Sequence, residues 1–309
     1  MLDYGATLPR KRKSPKVIFL VIFWVLVAWV GWKTFFGASA PALSPVPDEP
    51  HSSFVSNLFS KTKNPEDLKK RIQEEARTWV NYSVLVADYQ SPFRMEINET
   101  LIYTAASVNK LPILAALYYY TAAGEIDLDQ VITLQASDIL DYGTGSMRYD
   151  RPGTTYSLKT IAQLMIKKSD NTAASILTKF IGEGKIQSLM NSWGLTQTDI
   201  ANNKTSNRDM NILMNRIYTG QVTDASATQE MLGFMKDTDF EDRLPAQLPD
   251  DVTIYHKIGT EVRVIHDVGI VTDGTRTYYI GVFTNEVTND EEAVKLIAGI
   301  SKLVYEFMQ

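Results

Sequence analysis

Ser107-Val-Asn-Lys110 sets a hydroxyl and an amine three residues apart at the head of an apolar run that continues LPILAALYYY. Residues at that spacing share a helix face, so the lysine amine can approach the serine hydroxyl. Serine is a weak nucleophile by itself. An amine whose pKa is lowered by burial and by a second cation can accept its proton near neutral pH, which points to nucleophilic chemistry at Ser107. The same spacing recurs at Ser60-Lys-Thr-Lys63, but that copy lies in a polar stretch with no core to desolvate its lysine, and is read as chance.

Two further clusters offer polar groups at element boundaries. Ser169-Asp170-Asn171 ends one helical run, IAQLMIKK, and opens another, NTAASILTKFI, so it links two helices; helix capping is its local structural explanation. Lys257-Ile258-Gly259-Thr260 ends a β-prone run, where the glycine permits close backbone approach.

The elements that must position these residues follow from periodicity and turn chemistry. Asn64-Pro-Glu-Asp supplies an N-cap, a proline at the first helical position and first-turn acids. Tyr82 to Tyr89 and Arg94 to Tyr103 are predicted as two strands joined at Ser91-Pro92, and helical periodicity dominates from Ser107 to about Met235. Strands return at Val252 to Lys257, Val264 to Val271 and Thr277 to Thr284, with an Asp273-Gly274 turn and a final helix capped from Thr288. Strands from both ends around a helical middle predict an α+β fold: an antiparallel sheet built from the two termini, flanked by helices, with a helical lobe inserted. The cleft between lobes is the expected site.

Composition removes several classes. The chain has 309 residues and no cysteine, so disulfides, thiolate nucleophiles and Cys-ligated zinc are excluded. His51, His256 and His266 never fall at metal-helix spacing, and no metal or cofactor is implied. Residues 1–16 carry a net +4 within a whole-chain charge of −5, which leaves −9 on the remainder and argues against nucleic acid as a partner.

The N-terminal region divides into a basic tail over 1–16, an apolar segment over 17–36 and a Pro-rich tether over 37–63. Twenty residues at helical rise span ~30 Å, enough for a bilayer core. Positive charge before that segment predicts a single-pass membrane anchor with residues 64–309 extracytoplasmic. A cleaved signal peptide is the competing reading, because Ala38-Ser39-Ala40 has the small-residue look of a cleavage site.

The ordered set S-x-x-K, S-D-N, K-x-G, with its lead residues 62 and 88 positions apart, resembles the penicillin-recognising serine enzymes, specifically class A β-lactamases. The likeness covers about residues 64 to 309 and includes KLPI, YGTGSM, MIKKSDNTAA, DRLPAQLP and HDVGIV. It implies that Ser107 is acylated, that Lys110 is its base or proton relay, and that Ser169 passes the proton to the leaving nitrogen. It further implies that Asn171 holds a substrate amide, and that Lys257 lowers the pKa of its neighbours and attracts the substrate carboxylate. Backbone N–H groups of Ser107 and Thr260, the latter just after Gly259, would form the oxyanion hole. Arg243 stands where some relatives keep an arginine for the substrate carboxylate.

Two departures qualify the resemblance. Ile258 replaces the usual Thr or Ser of the third motif, with Thr260 on the same side of the strand as its substitute. No E-x-x-L-N pattern follows the second motif, so the glutamate that relatives use for deacylation is missing. Of the acids between Asn171 and Tyr218, Glu183 sits in a Gly-Glu-Gly turn, Asp209 belongs to a capping box, and Asp199 remains as a substitute on a shortened loop. The resemblance therefore implies β-lactam hydrolysis with slow deacylation. The alternatives are a D-Ala-D-Ala-type peptidase acting on peptidoglycan stem peptides, and a once-acylated or non-catalytic sensing domain.

Overall fold

The computed structural model describes residues 63–309. The basic tail, the apolar segment over 17–36, all of the tether but Lys63, and Ser60 lie outside the described residues. Among the described residues no helix is long and apolar enough to cross a membrane.

Helix α1 (Pro65–Glu75) begins as expected: Asn64 accepts from Glu66 N and Pro65 occupies the first turn. β1 (Tyr82–Asp88) pairs antiparallel with β2 (Arg94–Ile97). The run from Arg94 to Tyr103 is not one strand, however. Asn98 adopts φ 52°, a left-handed conformation that asparagine tolerates, and its side chain donates to Tyr82 O at 2.9 Å. The chain turns there, and Tyr103 and Thr104 form β3 in a separate small sheet. A 3₁₀ turn over Ala106–Asn109 leads into α2 (Lys110–Ala122).

From Leu111 to Tyr118 every residue of α2 is buried, the signature of a central helix. The middle of the chain is not purely helical, because β4 (Val131–Thr133) pairs with β5 (Thr155–Ser157). Helices α3 (Leu158–Lys167), α4 (Asn171–Ile181) and α5 (Glu183–Ser192) pack against α2. After α5 the chain runs through β6 (Lys204–Thr205), the partner of β3, into α6 (Asn207–Tyr218) and α7 (Ala225–Phe234).

β7 (Thr253–Glu261), β8 (Val264–Thr272) and β9 (Thr277–Thr284) complete a five-stranded sheet in the order β2-β1-β9-β8-β7. Val84 faces Val282 across β1 and β9, so the two ends of the chain meet at the sheet centre. Both sheet faces are covered, which alternation along the strands shows directly. Leu85, Val268 and Phe283 join the α2-centred core, whereas Val84, Val86, Ile280 and Val282 pack with Leu68 and Ile72 of α1 and with α8 (Asp290–Met308). Asn289, not Thr288, caps α8, accepting from Glu291 N and Glu292 N.

α6 is tied to the sheet by a fully buried amide. Asn207 donates Nδ2 to Ser83 Oγ at 3.0 Å and to Gly281 O at 2.9 Å, and accepts from Tyr279 OH at 2.8 Å. A Cβ at Gly281 would lie 2.2 Å from Asn207 Oδ1, so this docking requires glycine.

Candidate active site

Four segments converge on one point. The 3₁₀ turn carries Ser107, the first residue of α2 is Lys110, the α3–α4 link carries Ser169, and β7 carries Lys257. β7 continues beyond Lys257 to Glu261, so the third motif lies within a strand rather than at its end. Its closeness to the nucleophile depends on Gly259: an added Cβ would stand 3.0 Å from Ala105 O and 3.1 Å from Val108 Cγ2. On the other side, Ser169 holds φ 51° and Asp170 caps α4, accepting from Ala173 N at 3.0 Å and from Met147 N at 2.8 Å.

Lys110 Nζ, on a side chain 4% exposed, is surrounded by oxygen. Ser107 Oγ lies at 2.8 Å, Ser169 O at 2.7 Å, Ser169 Oγ at 3.2 Å and Asn171 Oδ1 at 2.7 Å. Burial lowers its pKa to about 7, against an upward pull from the Asp170 carboxylate. Near neutral pH the amine therefore spends much of its time unprotonated, with a lone pair beside the Ser107 hydroxyl. Lys257 Nζ donates to Ser169 Oγ at 3.0 Å and to Ile258 O at 3.1 Å. Complete burial and then the nearby Lys110 push its pKa well down. Ser169 Oγ thus bridges two lysines, a short proton path from the nucleophile to the far wall.

Ser107, Lys110, Asn171 and Thr260 line a cleft of about 610 Å³. Arg243 does not line it. The arginine is buried behind the wall, donating Nη2 to Thr260 Oγ1 at 2.7 Å and Nη1 to His266 O at 2.8 Å, and it acts on the cleft through Thr260. Asp199 is also elsewhere. It borders a second cavity of about 560 Å³, and its carboxylate accepts from Asn202 N at 3.0 Å and Asn202 Nδ2 at 2.8 Å within the 199–204 turn. Those bonds hold its pKa low and bind it to a structural task. Asp209 is buried at the α6 N-terminus, where its carboxylate accepts from Gln197 N and Thr198 Oγ1. Among the described residues lining the Ser107 cleft, Glu261 is the one acid.

Some participants carry no signal at the level of single residues. Thr144 donates Oγ1 to Ser169 O at 2.6 Å and its carbonyl accepts from Asn171 N at 3.0 Å, bracing the second motif. Gly143 lies against Asn171, since a Cβ there would fall 1.9 Å from Asn171 Nδ2. Both sit in the YGTGSM segment, whose glycines were the available signal. His266, one residue from Asp267, is neutral: Nε2 donates to Thr104 O at 2.9 Å, Nδ1 accepts from Thr284 N at 3.1 Å, and burial pushes its pKa down to about 4.

The family model described as the beta-lactamase enzyme family matches residues 66–308. The curated beta-lactamase VEB-1 of Pseudomonas aeruginosa is 26% identical over 240 residues, covering 69% of this chain and 80% of that protein. The solved structure of PBP-A superposes with a TM-score of 0.73 at 27% identity, covering 78% of this chain and 96% of that one. A mutant of PBP-A solved as an acyl-enzyme complex with penicillin G gives a TM-score of 0.74 at 26% identity, with 79% and 96% covered. With a matching family profile spanning its folded part, and Ser107 and Lys110 lining one cleft of the shared α+β fold with Lys257 buried behind Ser169, the chain belongs to the beta-lactamase enzyme family and is a serine β-lactamase-like hydrolase.

Proposed function

We propose that the protein opens β-lactams by acylation of Ser107 and releases the product slowly. Neutral Lys110 takes the Ser107 proton as Oγ attacks the lactam carbonyl, and the backbone N–H groups of Ser107 and Thr260 receive the developing oxyanion. Ser169 hands a proton to the leaving nitrogen and recovers one from the lysines on either side. Asn171 holds the substrate's side-chain amide, Thr260 with the Arg243 cation behind it attracts the substrate carboxylate, and Lys257 serves the proton path through Ser169. The observation that carries this reading is the 2.8 Å approach of Lys110 Nζ to Ser107 Oγ, by an amine whose pKa is brought down to about 7.

Slow release rests on the carboxylates. Glu261, the acid bordering the cleft, accepts from Asn203 Nδ2 at 3.4 Å, and Asp199 faces another cavity. Loss of general-base assistance is worth ~10²–10⁴ in rate, so acyl-enzyme accumulates. The same feature, with a cleft that runs along α4 past Ser175 to Lys179, favours a second reading in which a D-Ala-D-Ala-type peptide is the physiological substrate. The apolar segment over 17–36, preceded by the basic cluster, supports anchoring in the bacterial cell membrane with residues 64–309 outside.

Intact-mass time courses on the detergent-solubilised chain test the reading. A penicillin is expected to add one equivalent that persists, and Ser107→Ala is expected to abolish the adduct while Ser60→Ala retains it. Turnover of a peptide ending in D-Ala-D-Ala supports the second reading, and no adduct with either compound overturns both.

A further inference from the structure

The cleft that holds Ser107 is longer than its reacting end. Beyond Asn171 it follows one face of α4, where Ala174, Ser175, Thr178 and Lys179 recur at helical spacing and line the same cavity. Thr172, Ala173, Ile176 and Leu177, on the other side of the helix, are buried. Eight residues at helical rise put about 12 Å between the Asn171 and Lys179 backbones, the length of roughly three to four residues of extended chain.

The polar groups on this face have no protein partners. Thr172, on the buried side, accepts from Leu140 N at 3.1 Å, whereas among the described residues nothing bonds to the hydroxyls of Ser175 and Thr178. Among the same residues Lys159, Lys168, Lys185 and Lys295 each pair with a carboxylate, and Lys179 pairs with none. Helical side chains lean toward the N-terminus, so the Lys179 stem runs along the groove toward Asn171. Asn171 in turn gives its Oδ1 to Lys110 Nζ at 2.7 Å, which leaves Nδ2 for a substrate carbonyl. One wall thus carries a donor for the held amide, two free hydroxyls and then a cation.

We propose that this face of α4 is a subsite for the acyl-side arm of the substrate, and that Lys179 selects arms carrying a free carboxylate. Acylation of Ser107 is the reading on which this rests. A small penicillin leaves the subsite empty. A peptide whose scissile amide lies at Ser107, and whose preceding carbonyl meets Asn171, runs along the helix and presents a carboxylate roughly two or three residues upstream to the Lys179 ammonium. Ser175 and Thr178 meet the intervening backbone, each able to donate to a carbonyl or accept from an N–H. Glu261, the acid lining the cleft, is carried by β7 beside Thr260 and pairs with Asn203, not with Lys179.

The test compares two penicillins on the full chain, one with an adipoyl side chain ending in a carboxylate and one with the same chain ending in the amide. The four methylenes of that arm and the four-carbon lysine stem together bridge the about 12 Å from Asn171. Acylation rates are read by intact mass after rapid quench, as the ratio of carboxylate to amide probe, in which folding losses and general rate effects cancel. An exposed ion pair is worth little, so the unsubstituted chain is expected to favour the carboxylate by about two- to fivefold. The preference should shrink in about 1 M salt, where the screening length is ~3 Å. Lys179→Gln is expected to bring the ratio to about one, and Lys179→Glu to invert it through like-charge repulsion. Lys179 also stands in the last turn of α4, where a cation suits the helix C-terminus, but that role alone gives no preference between the probes. A ratio near one in the unsubstituted chain, or a preference that survives Lys179→Gln, overturns the subsite while acylation of Ser107 stands. No adduct with either probe overturns acylation itself.

Discussion

Arg243 and Thr260 are joined by a 2.7 Å hydrogen bond from Nη2 to Oγ1, with the guanidinium also donating to Gly259 O at 3.2 Å and His266 O at 2.8 Å. Ile258 leaves the third motif without its usual hydroxyl, and Thr260 presents one at the cleft two residues on. Arg243 thereby both orients that hydroxyl and places a buried cation behind it. Burial pulls the arginine pKa down, and Asp267, Asp242 and Asp290 oppose that fall.

Arg243→Lys keeps a charge but loses the planar fork that reaches three acceptors at once. One lost charged hydrogen bond is worth ~1.5–3 kcal/mol, or about ten- to a hundredfold in binding. KM for penicillins is expected to rise by that order with a smaller change in kcat, measured by steady-state or progress-curve kinetics. An equal fall in kcat and kcat/KM with KM unchanged would show that the residue acts only in the transition state, against this account.

Gly259→Ala tests the strand's approach to the nucleophile. The new Cβ would meet Ala105 O at 3.0 Å, Val108 Cγ2 at 3.1 Å and Ala106 Cβ at 3.3 Å, all within or beside the Ser107 turn. Backbone cannot rotate away as a flexible side chain can, so β7 and the turn must separate. Misplacement of reacting groups by ~1 Å can cost ~10²-fold, and a shift of tenths of an ångström is expected to slow acylation by about tenfold while the chain still unfolds cooperatively. Unchanged burst kinetics would show that the strand has slack the geometry does not suggest.

The residues that the fold gathers at the candidate site are legible in sequence because their spacing survives folding. Ser107 and Lys110 meet through helical geometry alone, and the α+β layout follows from strands at both ends around an apolar, helical middle. What sequence did not reveal depends on long-range packing. Asn98 breaks the second strand only because its left-handed turn is completed by Tyr82 O, a residue sixteen positions earlier. Arg243 reads as a substrate-facing cation until the fold places β7 and His266 around it. Asp199 seemed available as a base, yet its short-range bonds to Asn202 close a turn that faces the second cavity.

Acylation should follow the protonation of Lys110, and the sign is fixed by its role. Below its pKa of about 7 the amine is protonated and has no lone pair for the Ser107 proton; above it the base is free. The acylation rate is therefore expected to rise about tenfold per pH unit on the acid side and to level off above an inflection near 7. Histidine is the obvious rival for such an inflection, and the fold removes two of the three. His256 is held between Asp267 and Glu241: burial pulls its pKa down, but the Asp267 charge and the hydrogen bonds outweigh it and lift it to about 9. His266 is pushed down to about 4. His51 lies outside the described residues, and His51→Gln is expected to leave the profile unchanged. Rapid-quench measurement of adduct formation between about pH 5 and pH 11 decides the matter. A flat profile, or an inflection near the ordinary lysine value of 10.5, would mean that Lys110 is not the group that frees the Ser107 oxygen.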